Sequence, residues 1–304
     1  MNIYILLTKY YGLLHNYKYV PFFFLTPFRR LIRFCANLLL PWYLHKNVKY
    51  KGKVQKNLIV SLTSFPARIE NVWMVIEAIK RQTILPEKII LWLSREQFPT
   101  MESIPQKLLA KQDELFEIRV VDGDIKSHKK YYYSSREFPN SLLLLIDDDI
   151  FYPLDMIERL LKAYQKNPQA VICKYGYIMK FDENGLLMPY RYWKQLTFNS
   201  KDKNLFFGSG GGTLFTPSKL YADLTNKELF LQLTPSADDI WLNAMVKLAS
   251  LPIELIDPYL PLPIKGSNKN ITLSSVNLGE NKNDEQLKAV RKYYKKKLNT
   301  GVFL

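Results

Sequence analysis

The spacing of hydrophobic residues indicates alternating strands and helices from about Asn57 to Asp257. Short apolar runs predict strands at Leu58–Leu62, Ile89–Leu93, Ile118–Val121 and Leu142–Ile146. The stretches around them have helical periodicity and predict helices at Glu70–Gln82, Gln106–Glu117, Ser127–Phe138 and near Pro153–Lys166. Strands interleaved with helices in this way predict an α/β fold with a mostly parallel sheet covered on both faces.

The two ends of the chain have a different pattern. Residues 1–56 are aromatic and basic, and apolar residues recur at helical spacing over about residues 27–40, a stretch that Pro27 and Pro41 would bracket. Residues 261–304 predict a linker followed by a basic helix. We therefore expect an N-terminal extension (1–56), a central α/β domain (57–260) and a helical C-terminal extension (261–304).

The positive charge of the chain is concentrated at these ends. The formal net charge is +15, from 43 basic and 28 acidic residues. The first 69 residues contain 11 basic residues and no acidic one, while residues 281–304 contain 7 basic and 2 acidic ones, so the region between is nearly neutral. A basic amphipathic helix followed by Trp42 and Tyr43 is typical of contact with an anionic membrane surface. The alternative is a helix docked on the protein's own core.

The cysteine content and the hydropathy exclude several classes of protein. Cys35 and Cys173 are the only cysteines, which excludes a disulfide framework and a cysteine-based zinc site and favours a reducing compartment. The sequence contains no run of 18 apolar residues and no recognisable signal peptide. We expect a cytoplasmic protein that is peripheral on the inner face of the cytoplasmic membrane.

The acidic triplet Asp147-Asp148-Asp149 directly follows the predicted strand Leu142–Ile146. Three adjacent carboxylates are unfavourable unless a cation compensates them, and Mg²⁺ or Mn²⁺ would bind such oxygens together with substrate phosphate. The alternative is an acidic turn that caps the next helix. A Walker-type ATPase would require a GxxxxGK[ST] loop, which the sequence lacks. A haloacid-dehalogenase-type phosphatase usually places its aspartates after the first strand, whereas these follow about the fourth.

Several motifs occur in a characteristic order, namely residues 57–68, Gln82, Lys126–Tyr131, the acidic triplet and Ala237–Trp241. In this order the chain resembles GT-A-fold glycosyltransferases and is similar to family 2 enzymes of bacterial polysaccharide and lipopolysaccharide biosynthesis. The resemblance implies a Rossmann-like sheet and an inverting, Mn²⁺- or Mg²⁺-dependent transfer from a nucleotide sugar, with a UDP-sugar expected. The implied acceptor is a hydroxyl of a glycan or lipid-linked glycan, and nucleic acid is not an expected partner. A metal-dependent phosphohydrolase and a non-catalytic protein that binds membrane or nucleic acid remain alternatives.

The resemblance also implies roles for individual residues. The nucleotide sugar would contact Thr63, Ser64, Arg68, Lys126, Lys129, Lys130, Asp147 and Asp148. The metal would be held by Asp149 and Asp147, while Asp239 would be the catalytic base and Asp238 would orient the acceptor. The sugar or the acceptor would contact Gly211, Gly212, Trp193 and Trp241. Relatives carry an Asp that contacts uracil after the second strand, but this chain has Ser94 there, which leaves the base specificity open. We expect the isolated His128 to be structural or exposed and not a metal ligand.

Overall fold

A seven-stranded sheet forms the centre of the computed structural model, which describes residues 2–14, 22–46, 50–259, 261–265, 282–299 and 301–303. In chain order the strands are β1 (Lys53–Thr63), β2 (Ile84–Ser94), β3 (Phe116–Val121), β4 (Leu142–Ile146), β5 (Val171–Cys173), β6 (Gly176–Ile178), β7 (Lys194–Gln195), β8 (Leu205–Phe207), β9 (Gly211–Phe215) and β10 (Ile253–Leu255). The large sheet has the order β10-β5-β9-β4-β1-β2-β3, and β6, β7 and β8 form a smaller antiparallel sheet. Within the large sheet β9 runs antiparallel to both of its neighbours, and the other neighbouring strands are parallel. The mostly parallel sheet predicted from the sequence is therefore confirmed.

Helices pack against both faces of the large sheet. One face carries α1 (Ile3–Leu13), α2 (Phe22–His45), α3 (Val72–Lys80), the short α4 (Gln106–Leu109) and α6 (Met156–Lys166). The opposite face carries α5 (Lys129–Glu137), α7 (Lys227–Leu233), α8 (Asp238–Leu248) and α9 (Lys282–Leu298). Because side chains alternate along a strand, Leu58 and Val60 of β1 pack on the first face while Ile59 packs on the second. The two basic ends of the chain therefore lie on opposite faces of the sheet.

The predicted strands lie within β1, β2, β3 and β4, and most of the predicted helices are also present. The helix predicted over Gln106–Glu117 is wrong, because α4 ends at Leu109 and β3 begins at Phe116. Asp113 accounts for the difference. Its carboxylate accepts hydrogen bonds from the backbone N–H groups of Leu115 and Phe116 and forms an ion pair with Lys80. These contacts fix a turn where the apolar periodicity suggested a helix.

The N-terminal helices belong to the same core as the sheet. Tyr4 of α1 is fully buried and its hydroxyl donates to the backbone oxygen of Tyr152 at 2.9 Å. Helix α2 is longer than predicted, and it contains Pro27 and Pro41 instead of ending at them. Packing of α2 on the core compensates for the hydrogen bonds that the prolines remove. In the part of the chain that the structure describes, no helix is both long and apolar enough to cross a bilayer.

The predicted division into three regions can be followed only in part. Strand β1 begins at Lys53, so the boundary placed between residues 56 and 57 falls inside a strand. The predicted basic C-terminal helix corresponds to α9, which packs on α7 and α8. Residues 266–281, where the linker was predicted, lie outside the described residues.

Candidate active site

The acidic triplet lies at the carboxyl end of β4, beside the chain segment that enters β9. Strand β9 runs antiparallel to β4, and the backbone N–H of Asp147 donates to the oxygen of Gly210 at 3.1 Å. A Cβ atom on Gly210 would overlap the Asp147 carboxylate, so a larger residue there would displace this side chain from its present position. The sequence pointed instead to the neighbouring Gly211 and Gly212. Gly211 lines the cleft described below, whereas a Cβ on Gly212 would meet Met156 in the core.

Asp148 is held by the end of β1 and the turn that follows it. The Ser64 hydroxyl donates to one carboxylate oxygen at 2.6 Å, and Arg68 donates to the other at 2.9 Å. Burial raises the pKa of Asp148, and the Arg68 guanidinium opposes that rise. Two of the predicted nucleotide contacts, Ser64 and Arg68, therefore bond directly to the predicted acidic site. Asp148 has both oxygens engaged, which suits a structural anchor better than a metal ligand.

Asp147 and Asp149 have the exposure that a cation ligand needs. Their side chains are 40% and 23% exposed, and both face the same cleft. Burial and the neighbouring Asp148 charge raise the pKa of Asp149 to about 7, although Arg68 lies 3.1 Å away. The described residues contain no set of three His, Cys, Asp or Glu side chains arranged around an ion. Mg²⁺ and Mn²⁺ commonly use one or two carboxylates together with phosphate and water, and these two residues fit that requirement.

A second acidic pair begins helix α8 and faces the first. The Asp238 carboxylate accepts a hydrogen bond from the Ser209 hydroxyl at 2.7 Å and lies 3.0 Å from Lys130. Burial would raise the pKa of Asp238, but the Lys130 charge, a smaller charge effect from His128 and the hydrogen bond from Ser209 together hold the value at about 2. Burial and the Asp238 charge raise the pKa of Asp239 to about 7, and one Asp239 oxygen accepts the Ser209 N–H at 2.7 Å. Neighbouring carboxylates with pKa values this far apart are suited to different roles in acid–base chemistry.

Lys130 connects the two acidic sites. Its Nζ atom lies 3.1 Å from Asp147 and 3.0 Å from Asp238, and the side chain is buried. Although burial would lower the pKa of this ammonium group, the surrounding carboxylates raise it above the ordinary value, so Lys130 stays charged. Helix α5 thus supplies a fixed positive charge between the carboxylates that follow β4 and those that begin α8.

Both acidic sites open into one cleft of about 470 Å³. This volume is within the range of small-molecule sites. The lining includes Arg68, Lys130, Asp147, Asp149 and Asp239. The carboxyl ends of parallel strands are where α/β sheets usually bind ligands, and β1 and β4 both end here.

A second compartment of about 280 Å³ adjoins this cleft and shares Arg68, Lys130 and Asp147 with it. The other side chains that line it include predicted nucleotide contacts, namely Thr63, Ser64, Lys126 and Lys129. Gln97 and Asp124 also line this compartment, and Gln97 donates to Asp124 at 2.9 Å. Asp124, which follows β3 and pairs with Lys129, was not among the predicted site residues, although its place after a strand was a usable signal. Ser94 is fully buried and does not contribute to this lining.

Three tyrosines form one wall of the main cleft. Tyr175, Tyr177 and Tyr190 line it together, and the hydroxyl oxygens of Tyr175 and Tyr177 are 2.7 Å apart. Burial raises the pKa of all three, so they remain neutral hydrogen-bonding groups. Aromatic rings with polar tips can pack on the apolar face of a sugar ring while bonding its hydroxyls. Tyr175 lies between β5 and β6, and Tyr177 lies in β6. Their sequence context did not mark either of them as a site residue.

The two tryptophans expected at the site lie outside the cleft lining. Trp241 is fully buried in α8, and its indole N–H donates to the backbone oxygen of Leu224 at 3.0 Å. Trp193 donates to the oxygen of Met188 at 2.9 Å and packs against Tyr190, so it supports the tyrosine wall from behind. His128 is also buried, with its ring nitrogens next to the Tyr131 hydroxyl and the Thr234 oxygen. Burial lowers the pKa of His128 to about 4, which agrees with the structural role expected for it.

Comparisons with known proteins give similarity of fold alone. No family model and no curated protein sequence matches the chain. Among solved structures, the chain is similar to 4-diphosphocytidyl-2C-methyl-D-erythritol synthase from Anaerococcus prevotii DSM 20548, with 11% identity, a TM-score of 0.39 and coverage of 76% of this chain and 99% of that one. It is also similar to GalNAc-T7 bound to UDP, GalNAc and Mn²⁺, with 10% identity, a TM-score of 0.45 and coverage of 72% of this chain and 45% of that one. The chemistry of the site must therefore be inferred from its own residues.

Proposed function

We propose that this protein transfers a sugar from a nucleotide-sugar donor to a hydroxyl group of an acceptor. The observation that carries the proposal is the pairing of two kinds of carboxylate in one cleft. Asp147 and Asp149 are open to a cation and a diphosphate, while Asp239 has a pKa of about 7 and can take a proton near neutral pH. This arrangement supplies both requirements of glycosyl transfer, a site for the leaving diphosphate and a base for the acceptor.

The bond changes in the proposed reaction involve few protein groups. The Asp239 carboxylate accepts the proton of the acceptor hydroxyl while that oxygen forms a bond to the anomeric carbon. The bond between the anomeric carbon and the diphosphate oxygen breaks, and its electron pair leaves with the nucleoside diphosphate. A single displacement of this kind inverts the anomeric centre.

Charge on the leaving group is balanced by fixed cations. Lys130 and Arg68 remain protonated because the surrounding aspartates raise the pKa of each, and both line the shared boundary of the two compartments. Preorganised positive charge stabilises the negative charge that develops on the diphosphate. A divalent cation held by Asp147 and Asp149 would supply further neutralisation of the same oxygens.

The finer assignments belong to the same proposal. The nucleoside would occupy the second compartment, whose hydroxyls, lysines and Asp124 suit ribose and a pyrimidine base, and we propose a UDP-sugar as donor. The acceptor, a glycan or lipid-linked glycan, would lie against the wall formed by Tyr175, Tyr177 and Tyr190. We place the enzyme in the cytoplasm, at the inner face of the membrane.

A donor screen tests this function. The protein is incubated with a panel of nucleotide sugars, with and without Mn²⁺, and thermal unfolding is recorded before acceptors are added. We expect one donor class to raise Tm by about 5 °C at 100 times its Kd, in a Mn²⁺-dependent manner, and to give a glycosylated product. Release of phosphate without a glycosylated product would identify a phosphohydrolase instead. Formation of pyrophosphate from a nucleoside triphosphate would identify a nucleotidyltransferase.

A further inference from the structure

Helix α2 has one face in the core and an equally apolar face exposed. Ala36, Leu40 and Leu44 are fully buried against the sheet. The opposite side carries large apolar residues that are 59–65% exposed, here called the α2 stripe, namely Phe28, Leu31, Phe34, Leu38 and Trp42. Their spacing of three and four residues places them in one continuous row along the helix.

A row of this kind differs from ordinary surface hydrophobics. A helix packed on a core normally has a polar outer face, and a contiguous exposed apolar patch marks a binding surface. Helix α1 lies beside α2, where the Asn2 side chain donates to the Tyr43 hydroxyl at 2.6 Å. It carries further exposed apolar residues, Ile5, Tyr10 and Leu13, at 44–50% exposure.

The charges near the α2 stripe indicate the kind of partner. Lys9 of α1 and Arg30 of α2 are exposed, as is Lys46 directly after α2, and the Lys46 ammonium lies 3.6 Å above the Trp42 ring. No acidic residue occurs in the first 69 residues of the sequence. Apolar and aromatic side chains accompanied by cations alone complement the interface of an anionic bilayer, where acyl chains meet negatively charged headgroups. A surface that binds another protein would be expected to include at least some carboxylates.

We propose that the α2 stripe and the exposed face of α1 insert into the interfacial layer of an anionic lipid membrane. The sequence attributed membrane contact to both basic ends of the chain. Helix α9 packs on the opposite face of the sheet from α2, so a flat membrane in contact with the α2 stripe would not also contact α9. The N-terminal helices are thus the membrane-binding element.

The same helix is tied to the edge of the catalytic cleft. Asn37 of α2 donates to the oxygen of Pro263 at 3.0 Å and accepts the N–H of Lys265. Pro263 lines the cleft, and the next residue, Ile264, donates its N–H to the oxygen of Asp149 at 2.8 Å. A short segment therefore joins the membrane-facing helix to the acidic site. Given the proposed function, this connection places the cleft edge near the bilayer surface, where a lipid-linked acceptor would be presented.

Vesicle sedimentation of the full chain tests the membrane surface without any sugar nucleotide. We expect at least tenfold tighter binding to vesicles of phosphatidylcholine with 30% phosphatidylglycerol than to phosphatidylcholine alone. The variant L31S/F34S/L38S should lose at least tenfold in affinity for the anionic vesicles, and Arg30→Ala about fivefold. The matched control L186S/F198S alters residues that are 58% and 52% exposed elsewhere and should bind as the parent does.

Two results would overturn the proposal. One is unchanged vesicle binding by the stripe variant. The other is a lipid-free dimer in analytical ultracentrifugation that the stripe variant dissociates, since the stripe would then be covered by a second copy. Asp239→Asn should keep full vesicle binding, and the stripe variant should keep the donor-dependent rise in Tm. Failure of the membrane proposal and failure of the proposed function therefore give different results.

Discussion

The two acidic sites of the cleft have similar arrangements of charge. They differ in whether a further cation or a proton can neutralise the second carboxylate. After β4, Arg68 pairs with Asp148, and the neighbouring Asp149 has a pKa of about 7. At the start of α8, Lys130 pairs with Asp238, and the neighbouring Asp239 also has a pKa of about 7. In each site a cation acts to lower the pKa of one carboxylate, although burial still leaves the pKa of Asp148 raised while that of Asp238 is lowered. The charge of that carboxylate together with burial raises the pKa of the next one.

The difference lies in the surroundings of the two raised carboxylates. Asp149 is 3.1 Å from Arg68 and is flanked by Asp147, a third carboxylate open to the same space. Negative charge of this density favours a further cation. Asp239 accepts the Ser209 N–H and faces the tyrosine wall, an environment that suits uptake of a proton. We infer that the first site binds cation and diphosphate and that the second performs the proton transfer.

The largest effect that tests this contrast is expected from Asp239→Asn. The amide keeps the shape of the side chain and the bond from Ser209 but cannot act as a base, so kcat should fall between about 100-fold and 10,000-fold. The donor-dependent rise in Tm should persist, because the cation and diphosphate site is unaltered. Steady-state kinetics and thermal unfolding on the same variant measure both quantities.

Asp202→Asn is the matched control, since it makes the same change at an exposed carboxylate away from the cleft and should leave kcat unaltered. The division of roles would be wrong if Asp239→Asn kept the parent's kcat. It would also be wrong if this variant lost the donor-dependent rise in Tm.

A second prediction concerns Lys130, which joins the two sites. Lys130→Met leaves Asp238 buried without its cation, and breaking a buried ion pair in this way typically costs about 3–5 kcal/mol in the free energy of unfolding. Urea denaturation measures the loss. The variant K130M/D238N should recover part of it, because removing both charges of a buried pair costs less than removing one.

Lys162→Met provides the comparison, since Lys162 is 67% exposed and pairs with Glu158 one helical turn away. We expect it to change the free energy of unfolding by less than about 0.5 kcal/mol. If Lys130→Met and Lys162→Met lowered the free energy of unfolding equally, the ion pairs of Lys130 would stabilise the fold no more than an exposed ion pair does.

Much of the sheet was predictable because its strands are buried on both faces. Such strands are continuous apolar runs, as in Leu142–Ile146, and can be recognised directly in a sequence. The helix predicted over Gln106–Glu117 was wrong because a single side chain, Asp113, fixes a local turn that apolar periodicity does not register. Helix α2 extended past Pro27 and Pro41 because tertiary packing outweighed the local signal.

The carboxylates of the site were predictable, as were the cations beside them, Arg68 and Lys130, whereas Gly210, Tyr175 and Tyr177 were not. Asp147–Asp149 and Asp238–Asp239 stand out as acidic residues at the ends of apolar elements. Gly210 and the tyrosine wall depend on β9 and β6 approaching the cleft, which no spacing in the sequence specifies. Trp241 follows an acidic pair in the sequence but points into the core, since α8 presents its first turn to the cleft and buries the rest.

The smallest expected effect is a pH dependence of kcat/KM that comes from Asp239 and not from the charged and polar groups around it. The pKa of Asp238 is held at about 2 and that of Lys130 is raised, while burial raises the pKa values of Tyr177 and Tyr190, so these groups keep one charge state across neutral pH. Because the base must be ionised and the pKa of Asp239 is about 7, kcat/KM should be about tenfold lower at pH 6 than on its plateau above pH 8. The profile is measured at saturating Mn²⁺, so that the charge on the Asp147–Asp149 cluster is balanced throughout. A kcat/KM that does not change between pH 5.5 and 8 would contradict proton uptake by Asp239, since a carboxylate with an ordinary pKa is already ionised over that range.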